Sequence, residues 1–415
     1  MQASTPLPNP PPQGGREKET ARGTRAATPW RLLTLLMAMT AIGPVSLNIL
    51  VPALPRLTAR LDSDIGTVQL TLSLFLLSLA AAQLLLGPLS DRFGRRPVVL
   101  AGLALAALAA LASITTASIA ALIVARIVQA AGAATGIVIG RAIIRDLYER
   151  ERAAAMIGLV TTAMVLAPML APTIGGLLDT AFGWEAIFLF IALISCAVLI
   201  WAILVLPETR PQRTGAPSSL WRDWRALAAS RQFHGYVLSG AFGTAPFFIF
   251  IGGGPHVVVS MMGRSSAEYG LWFVITSIGY MIGNFIASRY SQRFGLHAMI
   301  LAGIAIELAG ASAEALAIVL VPDAGPALIF LPQVVISLGN GVLLPNAIAG
   351  AISVNPQTSG AASGITGFMQ MAVGAAAAQM ITVALAGAAT PLPVALMILG
   401  AIAATSIAFF TLVRR

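Results

Sequence analysis

Hydrophobic positions in this chain do not alternate and do not form stripes. They fall in twelve long, nearly unbroken runs, at 30–52, 67–89, 97–115, 119–143, 154–178, 185–206, 235–259, 269–289, 297–320, 327–352, 361–386 and 391–412. About 20 apolar residues wound as a helix rise about 30 Å, enough to cross the hydrocarbon core of a bilayer. The pattern therefore predicts an all-α integral membrane protein of twelve transmembrane helices. Most connections are short. The exception is 207–231, "PETRPQRTGAPSSLWRDWRALAASR", which predicts two six-helix bundles, 30–206 and 232–415, joined by a central cytoplasmic loop. Residues 1–29 are rich in Pro, Gly, Thr and Arg without apolar periodicity, the pattern of a disordered cytoplasmic tail. The first run is full length and leads into "VPALPRL" rather than a small-residue cleavage site, so it reads as an uncleaved spanning helix.

Composition agrees. Hydrophobic residues make up 57% of the chain and charged residues only 10%, against about 25% charged in soluble domains; mean hydropathy is +0.86. A net charge of +9 would point to nucleic acid in a soluble protein. Here its distribution points elsewhere. Twenty-one of the twenty-five basic residues fall on segments of one side, and only Arg56, Arg60 and Arg264 on the other, with Arg126 inside a span. By the positive-inside rule both termini are cytoplasmic, in a multi-pass protein of the inner (cytoplasmic) membrane, with lipid rather than nucleic acid as its surroundings. The single Cys196 excludes an intramolecular disulfide, and three scattered histidines (His234, His256, His297) give no metal site. No cofactor motif or catalytic triad is visible, so an enzyme is not expected.

An internal repeat sharpens the class. "SDRFG" (90–94) follows the second run and "SQRFG" (291–295) the eighth, 201 residues later, each at the inner end of the second helix of a six-helix unit. Repeated halves related by an axis along the membrane normal are a transporter architecture, with substrate bound between them near mid-bilayer.

Three motifs carry a resemblance. The loop "GPLSDRFGRRPVVL" (87–100) resembles the signature loop of the major facilitator superfamily, with Gly87, Asp91, Arg92, Gly94, Arg95 and Arg96 in matching positions. Gly87 would allow close helix approach; Asp91 would cap the next helix or pair with an arginine, forming a latch. The second copy keeps Arg293 but has Gln292 in place of the acid, so its latch should be weaker. "ARIVQAAGAA" (125–134) looks like the fourth-helix motif of the same superfamily through Arg126 and Gln129, which the resemblance places at the central cavity and links to proton transfer. "LAPMLAPTIGG" (166–176) looks like its antiporter motif, with Pro168 and Pro172 bending the helix and Gly175 and Gly176 permitting tight packing. Within the superfamily, "PVSLNILVPALP" (44–55), "GRAIIRDLY" (140–148), "FGWEAIFLF" (182–190), "LPET" (206–209) and "GAASGITGFMQM" (360–371) resemble the bicyclomycin-resistance and chloramphenicol-efflux group. That resemblance implies a monomeric drug:proton antiporter, with small drug-like molecules and protons as its partners.

The departures bear on the proton. The group commonly has an acid in its first helix where this chain has Asn48, and an amide cannot lose a proton near neutral pH. Glu185 stands where the group often has arginine. Two carboxylates, Glu307 and Glu314 in "IELAGASAE", lie deep in the ninth run; seven residues apart, they share a helix face. Either they carry protons, or they sit hydrogen-bonded and inert on a helix that the resemblance puts at the periphery. The candidate substrate and proton pathway is thus Asn48, Arg126, Gln129, Glu307 and Glu314. Gln83, Asn284, Asn340, Asn346 and Gln370 are further polar positions within spans; the aromatic stretch "TAPFFIFIGG" (244–253) has two readings, the lining of a drug pocket or, as is more expected, apolar helix packing. Without a first-helix acid, the expected cargo is neutral or zwitterionic, of phenicol or bicyclomycin type; a proton-linked metabolite transporter is the alternative.

Overall fold

A computed structural model describes residues 29–148, 150–209, 225, 227–321, 325–355 and 358–413. The expected tail, apart from Pro29, and most of the central loop lie outside the described residues. Within them every expected span is helical and no strand occurs. The physical reason is that a bilayer core offers no water to backbone amides, so a single spanning segment must satisfy its own hydrogen bonds.

Helix α1 is Pro29–Asn48, continued through a 3-10 turn Val51–Ala53 and a short helix Leu54–Arg60. Then come α2 (Ile65–Phe93), α3 (Arg95–Ile114), α4 (Ile119–Leu147), α5 (Arg150–Phe182) and α6 (Trp184–Val205). After the central loop, α7 is Arg231–Pro255. The stretch Ser266–Leu320 is broken at Gly295 into α8 (266–294) and α9 (296–320). Helices α10 (Ala327–Ser353), α11 (Ser359–Leu385) and α12 (Leu392–Ala408) complete the order. Ten stretches are long and apolar enough to cross a membrane. Counting the broken one as two and adding the 33-residue α5 gives twelve.

Local chemistry sets the helix ends. Asp64 caps α2, accepting from the Thr67 amide at 2.9 Å and the Thr67 hydroxyl at 2.6 Å; these bonds, the hydroxyl's first, hold its carboxyl below the usual aspartate range. Ser230 and Ser265 cap α7 and α8 in the same way. Two stops have a backbone cause. Gly94 has φ 99° and ψ 152°, and Gly295 has φ 80° and ψ 159°, a region open essentially to glycine only. The two repeated pentapeptides therefore end in the same turn.

In the first half α4 packs on α1, α2 and α3, while α3 packs on α6 and α1 on α5. In the second, α7 contacts α10, α11 and α12, and α9 lies against α10. The most extensive contacts between the halves are α2 with α11 and α5 with α8, and the segment 51–60 adds smaller ones with the second half. Side chains such as Leu85, Phe182, Leu204, Leu316 and Leu320 are exposed on the outside, as a lipid-facing surface requires. The end carrying Arg92, Arg95, Arg96, Arg141 and Arg145 is called the basic end below, and the opposite one the far end.

Candidate functional site

A cavity of about 450 Å³ opens among α4, α5, α7, α8, α10 and α11. Arg141, twenty-two residues into α4 and so about 33 Å along it, borders the cavity near the basic end. Phe273, seven residues into α8 and about 10 Å from its far-end start, borders it at the other extreme. One long space thus runs most of the way through the bundle. Its wall is aromatic on one side, from Phe247, Phe248, Phe250 and Phe273, and dotted with the amides and hydroxyls of Asn284, Gln333, Ser337, Asn340 and Gln370. Among the described residues Arg141 is the one charged side chain bordering it, and no carboxylate does.

This selects the less expected of the two readings of one stretch. The run "TAPFFIFIGG" is not only packing, because Thr244, Phe247, Phe248 and Phe250 reach the cavity. Phe250 is held rigid by stacking on Tyr269 and Phe273 and by an edge contact with Phe330, centroids 5.3 Å apart. Sequence reading also missed Arg141, which had been counted only with the basic loops; its position one turn and a half before the end of α4 is the signal that could have found it.

None of the five pathway candidates borders this cavity. Asn48 is buried and donates to the Pro44 carbonyl one turn back at 2.8 Å. Arg126 and Gln129 come together. Arg126 is fully buried, donates to Gln129 Oε1 at 2.6 Å and more weakly to the Thr71 carbonyl at 3.4 Å, and lies 4.1 Å from the centre of the Phe75 ring. A carbonyl, an amide and an aromatic face thus take the place of a carboxylate, while Arg126 Nη2 meets no acceptor among the described residues. Glu307 and Glu314 are both fully buried, and among the described residues none of their four oxygens makes a well-formed hydrogen bond. The Asn340 side chain stands beside Glu307. Asn340 also donates to the Gly243 carbonyl of α7 and borders the cavity. Asn284 and Gln370 border it as well; Gln83 and Asn346 do not.

The signature loop is a network around Arg95. Its guanidinium pairs with Asp91 at 2.7 Å and Asp146 at 3.0 Å, and donates to the Ser90 hydroxyl at 2.5 Å. Asp91 therefore pairs with an arginine of its own loop. The cap of α3 is Glu208 of "LPET", whose two oxygens accept from the Arg95 and Arg96 amides at 2.9 and 3.1 Å. Arg96 also reaches the Ile203 carbonyl at 2.8 Å. Arg92 and Arg293 are exposed and lie over Phe93 and Phe294. Gly87 corrects an expectation. A Cβ there would meet nothing within 4 Å, so it mediates no close helix approach.

The antiporter motif lies where the halves meet. Pro168 borders the cavity. The Pro172 carbonyl and Thr173 Cα would meet a Cβ on Gly270 of α8 at 2.6 and 2.7 Å; a Cβ on Gly175 would strike the Ile49 carbonyl, and one on Gly176 the Ser266 carbonyl. Hydrogen bonds reinforce this far-end seam. Thr173 donates to the Gly270 carbonyl at 2.6 Å, Gln379 to the Gly66 carbonyl at 3.0 Å, and Ser73 to Gln379 at 3.2 Å. Nearby, Asp179, one residue beyond the expected end of its span, is buried and pairs with Arg56 at 3.3 Å.

Twelve helices with a repeated loop, enclosing a cavity between two bonded halves, are the architecture of a membrane transporter. The chain belongs to the Major Facilitator Superfamily, whose sequence model matches residues 36–378. It is 30% identical over 344 residues to Multidrug resistance protein D of Escherichia coli (strain K12), covering 82% of this chain and 85% of that one. A Bicyclomycin resistance protein homolog of Haemophilus influenzae is 28% identical over 344 residues, covering 81% and 85%. These relatives bear out the resemblance read from the motifs. The crystal structure of a bacterial homolog of the human lysosomal transporter Spinster, inward-facing and unoccupied, superposes with a TM-score of 0.71 at 16% identity, over 94% of this chain and 98% of that one. At that identity the likeness speaks for the fold.

Proposed function

We propose that this protein exports small amphiphilic compounds, neutral or zwitterionic, in exchange for protons, by rocking the bundles 30–206 and 232–415 about the cavity. The observation that carries the reading is the wall of that cavity: aromatic side chains, amides, hydroxyls and Arg141, with no carboxylate among the described residues that border it to hold a cation. Aromatic surfaces with a few placed polar groups are how small-molecule sites achieve affinity and orientation together. The names of the relatives, multidrug and bicyclomycin resistance, support the same class of cargo.

With the basic end cytoplasmic, the space from Arg141 to Phe273 is loaded from the cytoplasm while the far-end seam stays closed. The Arg95 network is the latch of the basic end, made and broken as the halves rock. Arg126, Gln129 and Asn48 form the polar path of the first half, and Glu307 and Glu314 the ionisable path of the second. A resistance panel in an efflux-deficient host tests the cargo. Protection against phenicols and bicyclomycin is expected; strong protection against ethidium-type cations with none against phenicols would refute the preference. Inverted vesicles with an imposed pH gradient test the exchange, because a symporter of a metabolite would respond with the opposite sign.

A further inference from the structure

The ninth helix turns two carboxyl groups inward, and the structure gives one of them a neighbour in the cavity wall. On α9 the face Gly303, Glu307, Gly310, Ala311, Glu314 is buried, while Leu308, Leu316 and Leu320 are exposed. The buried face lies on α10 at very short range. A Cβ on Gly339 would meet Glu307 Cγ at 2.7 Å, and one on Gly303 would meet Leu343 Cβ at 2.7 Å. Glu307 is therefore fixed against the backbone turn that carries Asn340. Among the described residues neither of its oxygens makes a well-formed hydrogen bond, and no ion pair involves it.

The elements around it supply no charge. Helix α10 has no ionisable side chain along Ala327–Ser353, and α12 has none along Leu392–Ala408. On α7 the titratable groups are Arg231, His234 and Tyr236, within its first six residues at the basic end. On α8 they are Glu268, Tyr269, Tyr280, Arg289, Tyr290 and Arg293; Tyr280 faces the cavity, and the two arginines are exposed at the basic end. On α9 itself the others are His297, exposed at the start, and Glu314, two turns further out. A carboxylate left unpaired in such a place is very costly, whereas a carboxylic acid is not. Asn340 is the polar side chain placed to answer a change between the two. Its amide NH₂ has two N–H bonds to give, one of them directed to the Gly243 carbonyl, and it reaches both Glu307 and the cavity.

We propose that Glu307 holds the exchanged proton, and that Asn340 is the positioning residue through which cavity ligand and proton sense each other. This deepens the exporter reading and takes from it only the direction of exchange. With Glu307 as the acid, one Asn340 N–H rests on Gly243. When the acid gives its proton to water, the carboxylate draws the second N–H of the same amide towards itself, since a hydrogen bond to an ion is roughly twice as strong as a neutral one. The amide then turns, and the cavity wall between α7 and α10 changes shape. Ligand favours the ionised arrangement and reprotonation expels it, the reciprocity that any linked pair of sites must obey.

The test uses the purified full chain in lipid discs, with chloramphenicol as probe. Infrared spectra recorded as pH is stepped from acid to alkaline read the carbonyl band of a protonated carboxyl group. The wild type should show a band that titrates, that disappears in Glu307→Gln, and that shifts in frequency in Asn340→Ala. Chloramphenicol at constant pH should bleach it and release protons in the wild type. Its Kd should rise by up to about tenfold per pH unit on the acid side and be flat with pH in Glu307→Gln. In Asn340→Ala, Glu307 should still titrate while binding loses its pH dependence. A titrating band unchanged in Glu307→Gln overturns the assignment, and Asn340→Ala behaving as wild type overturns the coupling. If no compound of the resistance panel is exported, the cargo reading fails instead. The titration and its response to Asn340→Ala still decide the proton site.

Discussion

Arg126 is the largest fully buried side chain that carries a charge, and its surroundings are unusually sparse. One amide oxygen, one distant carbonyl and one ring hold it. Truncating it to Met would leave Gln129 Oε1 buried without a donor, which costs about 1–3 kcal/mol, whereas apolar replacement of both partners is close to neutral. Arg126→Met should therefore lower thermal stability measurably, and Arg126→Met with Gln129→Leu should regain most of it. Transport should be absent in both. Thermal unfolding of purified protein, set beside vesicle transport, checks this. A stable double variant that still transports would reduce Arg126 to a packing residue. Asn48 is quieter, because its amide is spent on its own helix.

At the scale of helices, the three glycines of the repeated loops differ in what they permit. Gly94 needs its positive φ, and a Cβ there would also meet the capping Glu208 Oε2 at 2.7 Å. Gly295 needs only the φ, since a Cβ would meet nothing within 4 Å. Gly87 lies inside α2 with open space around it. Alanine at Gly94 or Gly295 should thus cost about 1–3 kcal/mol, more at Gly94. At Gly87 it should be neutral, or stabilising by up to about 1 kcal/mol. Melting temperatures of the three variants rank them. A loss at Gly87 matching that at Gly295 would show that α2 meets another surface there during transport.

Across the whole molecule, the halves are tied at the far end by a few bonds that a rocking motion must break. Gln379 makes two of them. At about 0.5–1.5 kcal/mol each, their loss in Gln379→Ala is enough to shift the balance roughly tenfold towards far-end opening. Ser266, buried in the seam against Gly176, is a reporter position. In a Cys196→Ser background, labelling of Ser266→Cys by an impermeant maleimide should rise several-fold when Gln379→Ala is added. Unchanged labelling would mean that the close packing of α5 on α8, not these bonds, keeps the far end shut.

The amino-acid sequence by itself determined the number of helices, their limits to within a few residues, the repeat and the family, because hydrocarbon solvent imposes length and apolarity on each span independently of its neighbours. It also picked out Arg126 with Gln129, and the pair Glu307 and Glu314, because charge in an apolar run is rare whatever surrounds it. What it could not give is who faces whom. Only the tertiary structure decided that the aromatic run of α7 lines a cavity, that Arg141 reaches into it, that Glu208 caps α3, and that Asn340 stands between Glu307 and the cavity. Each of these depends on the rotation and register of helices distant in sequence. Packing of small residues against carbonyls fixes both, and periodicity along a single helix carries no trace of either.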